Sequence, residues 1–170
     1  ILQELADLAK EVEAEVERFV LDGYGSWPRT VFSNQIAIIG PKADPAGIRG
    51  LASGAEAIKK IAAANAPFAV NALPGIGYAT DVLWLQAGSP DWVLDPGLAK
   101  GQAMKFAEEK GAYTIWGAIP FLRFKQKNAS TLELLVTADP LFQRVMAAIV
   151  VQPGKVPGAN AAAADKFVTY

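Results

Sequence analysis

The sequence predicts an α/β protein in which helices pack on a sheet. Segments with apolar residues at helical spacing alternate with short apolar runs, and Gly or Pro separates most of them. The predicted order of elements is α-β-α-β-α-α-β-α-β-β-α. Of the 170 residues, 52% are hydrophobic and 19% are charged. This length and composition suit one domain or two small lobes with a substantial core.

The first half of the chain is predicted to contain three helices and two strands. In order, these are a helix over Ile1–Val20 that Gly23 and Gly25 end, a strand over Thr30–Gly40, a helix opened by the capping box Ser53–Glu56, a strand over Phe68–Val70, and a helix carrying Val82, Leu83 and Leu85. A Gly/Pro-punctuated turn over Asn71–Gly77 joins the last two elements.

The second half begins with a connector in which Trp92 is expected to pack over the junction. The elements that follow are a helix begun by Asp95 and Pro96 and ended by Gly111, a strand over Ala112–Trp116, a short helix after Gly117, strands over Thr131–Thr137 and Val145–Val151, and a last helix capped by Asn160 and running through Phe167.

Composition excludes several kinds of chemistry. The chain has no Cys and no His, so thiol nucleophiles, disulfides, Cys/His zinc sites and histidine triads are ruled out. The net charge of -1 gives no indication of the basic surface that binds nucleic acid. No apolar run reaches the roughly 20 residues that span a bilayer. Nothing at the N-terminus resembles a secretory signal, although such signals are removed on export and this does not establish a cytosolic location.

The strand, turn and helix over Phe68–Gly88 suggest a place for an anion. A Gly-rich turn that enters a helix leaves backbone N–H groups unpaired, and the helix dipole adds partial positive charge there. Such a turn can hold an anion without a charged side chain. An ordinary connection between a strand and a helix explains the same pattern.

The phrase IIGPKADPAGI, Ile38–Ile48, resembles the substrate-binding proteins of tungstate and molybdate ABC transporters, which have the type 2 periplasmic-binding-protein fold. Further matching segments cover about residues 14–169 in the family's order: Asp22–Gly25, Ala55–Ile61, Ala66–Phe68, Leu83–Gly88, Glu109–Thr114 and Ala138–Leu141. The resemblance implies three-layer αβα lobes joined by crossover strands. Residues 1–41 and 128–170 would form part of lobe 1, and residues 42–127 would form lobe 2.

The resemblance also implies a function. The protein would be a periplasmic or secreted solute-binding protein, not an enzyme, and it would use no cofactor. It would capture a small anion or small organic solute in a cleft between the lobes and deliver it to an ABC transporter permease, its only link to a membrane. A ligand-free structural or interaction protein with the same fold is the alternative. An enzyme based on the carboxylates of Asp91 and Asp95 lacks a nucleophile, and with Asp81 these residues show no metal-ligand spacing.

Two departures from the family bear on the ligand. Nothing in this chain corresponds to the family's opening strands and their Thr/Ser-rich loop, so one lobe is expected to be incomplete. The family's Ser-Arg-Gly-Asp-like run is replaced by Val70–Gly77, and its Thr-Asp-Arg-Gly-Thr motif by Trp116–Pro120. The family arginine is absent from both places, which favours a less charged or organic ligand.

The candidate site residues follow from these two turns. Their loops, Pro74–Gly77 and Trp116–Ala118, are expected to face one hollow with their amides free. The predicted ligand-binding residues are Asn71, Gly75, Gly77, Tyr78, Tyr113, Thr114, Trp116 and Gly117, and Asn34 is a predicted hinge residue. An Asx-turn at Asn71 and core positions for Tyr78 and Trp116 are the alternatives. Asn128 begins a glycosylation sequon, for which a chance match in a polar turn is the better explanation.

Overall fold

A computed structural model describes residues 15–88 and 93–169. The chain divides into two compact units. The terminal unit consists of Ile1–Ser33 and Val145–Tyr170, and the central unit is Asn34–Arg144. The lobe predicted over residues 42–127 falls inside the central unit. The beginning of the predicted first helix, up to residue 14, lies outside the described residues, as do Asp91 and Trp92.

Helices accompany an open β-sheet, as expected of an α/β protein, and the predicted fold class is confirmed. A first helix, α1, covers residues 15–21 of the described chain. The later elements are β1 Arg29–Gly40, α2 Gly54–Ala63, α3 Pro74–Ala87, α4 Lys100–Lys110, β2 Thr114–Gly117, α5 Ala118–Asn128, β3 Glu133–Val136, a 3-10 turn at Pro140–Phe142, β4 Gln143–Ala148 and α6 Ala161–Thr169.

An open sheet built around β1 forms the middle of the central unit. β1 is antiparallel to both neighbours, so that Ile38 pairs with Ile115 of β2 and with Val136 of β3. β4 also pairs with β1. The sheet extends beyond β2 through parallel bridges that join Phe68 to Tyr113 and Ala69 to Leu94.

Apolar side chains from the helices cover the sheet of the central unit. The second half of β1, from Ile36 to Gly40, is buried, which explains its unbroken apolar sequence. Helices α2 and α3 pack against each other, and the core also contains Met104, Tyr113 and Phe121. Among the described residues, no helix combines the length and apolar character needed to cross a membrane.

Several predicted boundaries are wrong. α3 begins at Pro74, inside the predicted turn, because Pro fits the first position of a helix. α4 begins at Lys100 instead of Pro96, because the Asp95 carboxylate accepts a hydrogen bond from Gly97 N in a turn. The strand predicted at Phe68–Val70 is reduced to two isolated bridges. The last strand lies at Gln143–Ala148, earlier than its apolar run.

Candidate functional site

Several loops leave the same edge of the central sheet. The segment at Phe68–Ala69 runs parallel to the chain at Tyr113, where β2 follows. The carboxyl ends of parallel strands lie at one edge, where α/β sheets usually bind their ligands. The loop at Asn71 and the β2–α5 junction therefore start from this edge. β1 enters the central sheet there as well, because Ile36 pairs with Gly117.

The first turn of α3 offers one free amide. The Leu73 carbonyl accepts hydrogen bonds from Ile76 N at 2.7 Å and from Gly77 N at 3.1 Å. Pro74 has no N–H to donate. Among the described residues, Gly75 N has no hydrogen-bond partner. The prediction of several free amides at Pro74–Gly77 is therefore wrong for Ile76 and Gly77.

Arg144 lies against this turn. A Cβ atom added to Gly75 would be 2.7 Å from Arg144 Nη1 and 3.0 Å from Nη2. The guanidinium has no hydrogen bond or ion pair to any described residue. A cation at the positive end of a helix dipole is unfavourable by itself. An anion that contacts both the guanidinium and the Gly75 N–H would interact favourably with each.

Sequence reasoning missed Arg144 because it follows Gly75 by 69 positions, on a strand whose sequence predicts only burial. The one signal of Arg144 in the sequence was a positively charged residue immediately before the apolar run Val145–Val151. Its closeness to α3 depends on the path of the chain after β3, which the sequence pattern does not disclose.

A cavity of about 500 Å³ lies beside Gly75 and Arg144. Its other lining residues are Ile36, Tyr78, Ala79, Pro140, Leu141 and Gln143. Tyr78, which is 47% exposed, brings an aromatic ring and a hydroxyl to the cavity. The loop Trp116–Ala118 does not contribute to the lining, so the two helix starts do not share this cavity as expected.

Asn71 connects three parts of the central unit. Its side chain is buried, Oδ1 accepts a hydrogen bond from Lys100 N at 3.0 Å, and Nδ2 donates to the Ile115 carbonyl at 3.1 Å. The amide thus joins the loop before α3 to the start of α4 and to β2. These contacts give Asn71 a positioning role, and ligand contact stays a prediction.

Tyr113 and Thr114 are fully buried. The Tyr113 hydroxyl donates to Asp44 Oδ1 at 2.8 Å and accepts from Ala46 N at 2.9 Å, which anchors the loop after β1. Burial first, and then the hydrogen bond to Asp44 and its charge, raise the pKa of Tyr113. Thr114 Oγ1 has no hydrogen-bond partner among the described residues.

Asp44 accepts the hydrogen bond from the Tyr113 hydroxyl. Burial of its carboxylate raises the pKa, but hydrogen bonds from the backbone N–H groups of Arg49 and Ile48 and from the Tyr113 hydroxyl outweigh it. The pKa of Asp44 is therefore below its ordinary value. The charged form of Asp44 is the one that holds the loop.

The remaining predicted site residues have structural surroundings of their own. Trp116 is 9% exposed and packs edge-on against Phe124, with ring centroids 6.2 Å apart. A Cβ added to Gly117 would lie 3.1 Å from Pro120 Cδ, so glycine suits this tight start of α5. Gly77 faces open space. Asn34 is the first residue of the central unit, where its Oδ1 accepts from Gln35 N.

The described residues offer no metal centre. Across 15–88 and 93–169, no group of three or more His, Cys, Asp or Glu side chains could hold a metal ion. The Arg144 guanidinium is a cation that lies against the first turn of α3.

Known proteins resemble this chain in sequence and in structure. No family model matches it. A Haloferax volcanii protein described as an ABC transporter anion-binding protein is 30% identical over 161 residues, or 91% of this chain. The tungstate-binding protein TupA of Desulfovibrio alaskensis is 32% identical, with a TM-score of 0.81 over 92% of this chain. A tungstate ABC transporter structure from Geobacter sulfurreducens is 28% identical, with a TM-score of 0.69 over 94%.

The chain is shorter than these proteins. It spans about half of the Haloferax volcanii relative, 47% of its length. It covers 66% of the TupA chain and 68% of the Geobacter sulfurreducens chain. About a third or more of each relative therefore has no counterpart among these residues.

Proposed function

Because this chain belongs to the tungstate-type family of ABC-transporter substrate-binding proteins, we propose that it binds a small oxyanion and presents it to an ABC transporter. The protein acts outside the cytoplasm, in the periplasm or after secretion, and a transporter permease is its partner. The proposal takes its general activity from the relatives, which are binding proteins. The choice of an oxyanion rests on the residues around the start of α3.

The observation that carries the proposal is the guanidinium of Arg144 beside Gly75, which has no partner in the part of the chain that the structure describes. A guanidinium binds an oxyanion through two parallel hydrogen bonds, which are stronger than hydrogen bonds between neutral groups. Gly75 N supplies a further donor from the first turn of α3. Arg144 thus provides the positive charge that the replaced family motif at Val70–Gly77 lacks.

The neighbouring cavity supports a ligand of small size. Its volume of about 500 Å³ is within the range of small-molecule sites. Tyr78 supplies a hydroxyl that can donate to an anion, while Ile36 and Leu141 give apolar walls. A carboxylate or a tetrahedral oxyanion fits this set of donors.

An organic solute held by neutral groups receives less support. Asn71 already makes two hydrogen bonds with its side chain, and Trp116 packs in the core. Neither is free to form the neutral, aromatic site that the substituted turns suggested. Tyr78 alone keeps a partly exposed aromatic ring at the cavity.

Isothermal titration calorimetry of the whole chain with tungstate, molybdate, sulfate and phosphate tests the proposal. We expect saturable binding of at least one of these anions, weakened as salt is raised from about 0.01 to about 0.15 M. An uncharged solute of similar size, such as glycerol, serves as the control. Absence of binding by all four anions would instead support the ligand-free structural role.

A further inference from the structure

The cavity beside Gly75 and Arg144 is large for an inorganic anion. A water molecule takes up about 30 Å³ of the liquid, and a tetrahedral oxyanion occupies only a few such volumes. The cavity has a volume of about 500 Å³, so an inorganic ion at the guanidinium would leave most of this space to water. A ligand that fills the cavity therefore extends beyond the group that Arg144 binds.

Much of the remaining lining is apolar and fixed in place. Ile36 and Ala79 are 2% and 4% exposed, and both belong to the hydrophobic core. Leu141 lines the cavity from the 3-10 turn, which Asp139 fixes because its carboxylate accepts hydrogen bonds from Leu141 N at 2.8 Å and from Gly54 N at 2.6 Å. Such walls give no hydrogen bonds to the outer oxygens of an inorganic anion, whereas they pack well against hydrocarbon.

The charge of the lining matches a single negative charge. Among the described residues that line the cavity, Arg144 alone carries a formal charge. Tungstate, molybdate and sulfate are dianions at neutral pH, and a second charge without a partner is costly to remove from water. A carboxylate is a monoanion whose oxygens match the parallel N–H groups of a guanidinium. The Gly75 N–H and the Tyr78 hydroxyl are further donors.

One face of α3 joins the anion-binding turn to the apolar part of the cavity. Gly75, Tyr78 and Ala79 are spaced three and four residues apart, so they lie on the same side of the helix. This face advances about 6 Å along the axis from Gly75 to Ala79. A ligand with its charged end at Gly75 can therefore lay a short hydrocarbon tail along α3, beside the partly exposed ring of Tyr78.

We propose that the preferred ligand of this cavity is a small organic monocarboxylate with an apolar tail, whose carboxylate contacts the Arg144 guanidinium and Gly75 N. The tail contacts Ile36, Ala79 and Leu141. Removal of its apolar surface from water adds to the hydrogen bonds at the carboxylate. The inference rests on the proposed function, because it takes Arg144 as the anion-binding residue, and it names an organic acid in place of an inorganic oxyanion.

A series of straight-chain acids tests the inference by NMR titration of the whole, isotope-labelled chain. We expect affinity to rise from acetate through butyrate to hexanoate by at least about tenfold, since complete burial of each added CH₂ group would give about fourfold. Tungstate and sulfate should bind at least about tenfold more weakly than hexanoate. 1-Hexanol, which has a tail of similar length without the charge, should also bind more weakly than hexanoate.

The variant Leu141→Gln replaces part of the apolar wall by a polar side chain of similar size. It should lower hexanoate affinity at least about threefold and leave acetate affinity unchanged, because acetate lacks the tail. Leu122→Gln makes the same change on an exposed leucine of α5 that does not line the cavity, and it should bind hexanoate as the original chain does. If Leu141→Gln does not fold, Leu141→Ala should show the same selective loss.

The failure of this inference can be told apart from the failure of the proposed function. If no anion binds, hexanoate included, both are wrong. If anions bind but hexanoate binds no more tightly than acetate or tungstate, the proposed function stands and the inference is overturned. Equal losses of hexanoate affinity in Leu141→Gln and Leu122→Gln, or a loss of acetate affinity as large as that of hexanoate in Leu141→Gln, would also overturn it.

Discussion

At Gly75, glycine leaves room for the Arg144 guanidinium against the first turn of α3. We predict that Gly75→Ala lowers anion affinity. The new Cβ would lie 2.7 Å from the present position of Arg144 Nη1 and would therefore displace the guanidinium. Stability should not fall, since alanine is better than glycine inside a helix by about 0.5–1 kcal/mol. Calorimetry and thermal unfolding measure the two effects separately.

The control for this variant is Gly77→Ala, two residues further along α3. A Cβ at Gly77 meets no atom within 4 Å, so this change should leave anion affinity unaltered. A Gly75→Ala protein that binds as tightly as the original chain would show that the guanidinium is not needed at this place.

The hydrogen bond between Tyr113 and the Asp44 carboxylate leads us to predict that stability depends on pH. The folded-state pKa of Asp44 is below the ordinary value of 3.8. Its contribution to the free energy of unfolding is therefore fully present above that ordinary value and is lost as pH falls through the lower, folded-state pKa. Chemical denaturation measured between about pH 6 and pH 2 should show the loss.

The variant Asp44→Asn should flatten this acid decline, because an amide does not titrate. Asp81→Asn is a matched control, since the Asp81 side chain has no partner among the described residues. If both variants show the same pH profile, the Asp44–Tyr113 contact does not act through ionisation.

At the scale of elements, local signals located the helix ends that side chains cap. Ser53 Oγ accepts from Glu56 N and Asn160 Oδ1 accepts from Ala163 N, and both caps were predicted. Gly111 takes the left-handed conformation at the end of α4, also as predicted. These interactions lie within a few residues of one another, which is why the sequence reveals them.

The start of α3 was predicted poorly for a physical reason. The composition of the segment favours a turn, because it contains Pro74, Gly75 and Gly77. Tertiary packing outweighs this preference, and the segment is helical. Ile76 of this first turn is buried in the core. The approach of Arg144 to Gly75, and hence the candidate site, depends on this packing and could not be read from local pattern.

The contact between α2 and α3 gives a prediction about packing. A Cβ at Gly54 would lie 2.7 Å from Leu83 Cδ2 and 2.9 Å from Phe142 Cζ, and both of these side chains are fully buried. Gly54→Ala should therefore lower the free energy of unfolding by about 1–3 kcal/mol through overpacking. Gly77→Ala should raise it by about 0.5–1 kcal/mol.

Urea denaturation of the two variants measures this difference directly. The same Gly→Ala change is expected to act with opposite sign at the two positions, because only Gly54 has close neighbours. Equal effects on stability would mean that α2 and α3 can separate enough to admit a methyl group.

At the scale of the whole molecule, the resemblance in sequence predicted the fold and the family. The positively charged group at the candidate site was found only in the structure. The matching segments include the loop after β1, which Tyr113 anchors, so the resemblance rests partly on residues that maintain the fold. The ligand motifs had changed, and the resemblance therefore left the ligand open. The approach of Arg144 to Gly75 comes from a contact distant in sequence.

The most direct test of the account measures oxyanion binding by Arg144→Gln with calorimetry. We predict a loss of affinity of at least about tenfold, or about 1.4 kcal/mol, with partial recovery in Arg144→Lys. Arg18→Gln removes the same charge from an exposed arginine of α1 and should bind as the original chain does. Unchanged affinity in Arg144→Gln, or an equal loss in Arg18→Gln, would contradict the assignment of Arg144 as the anion-binding residue.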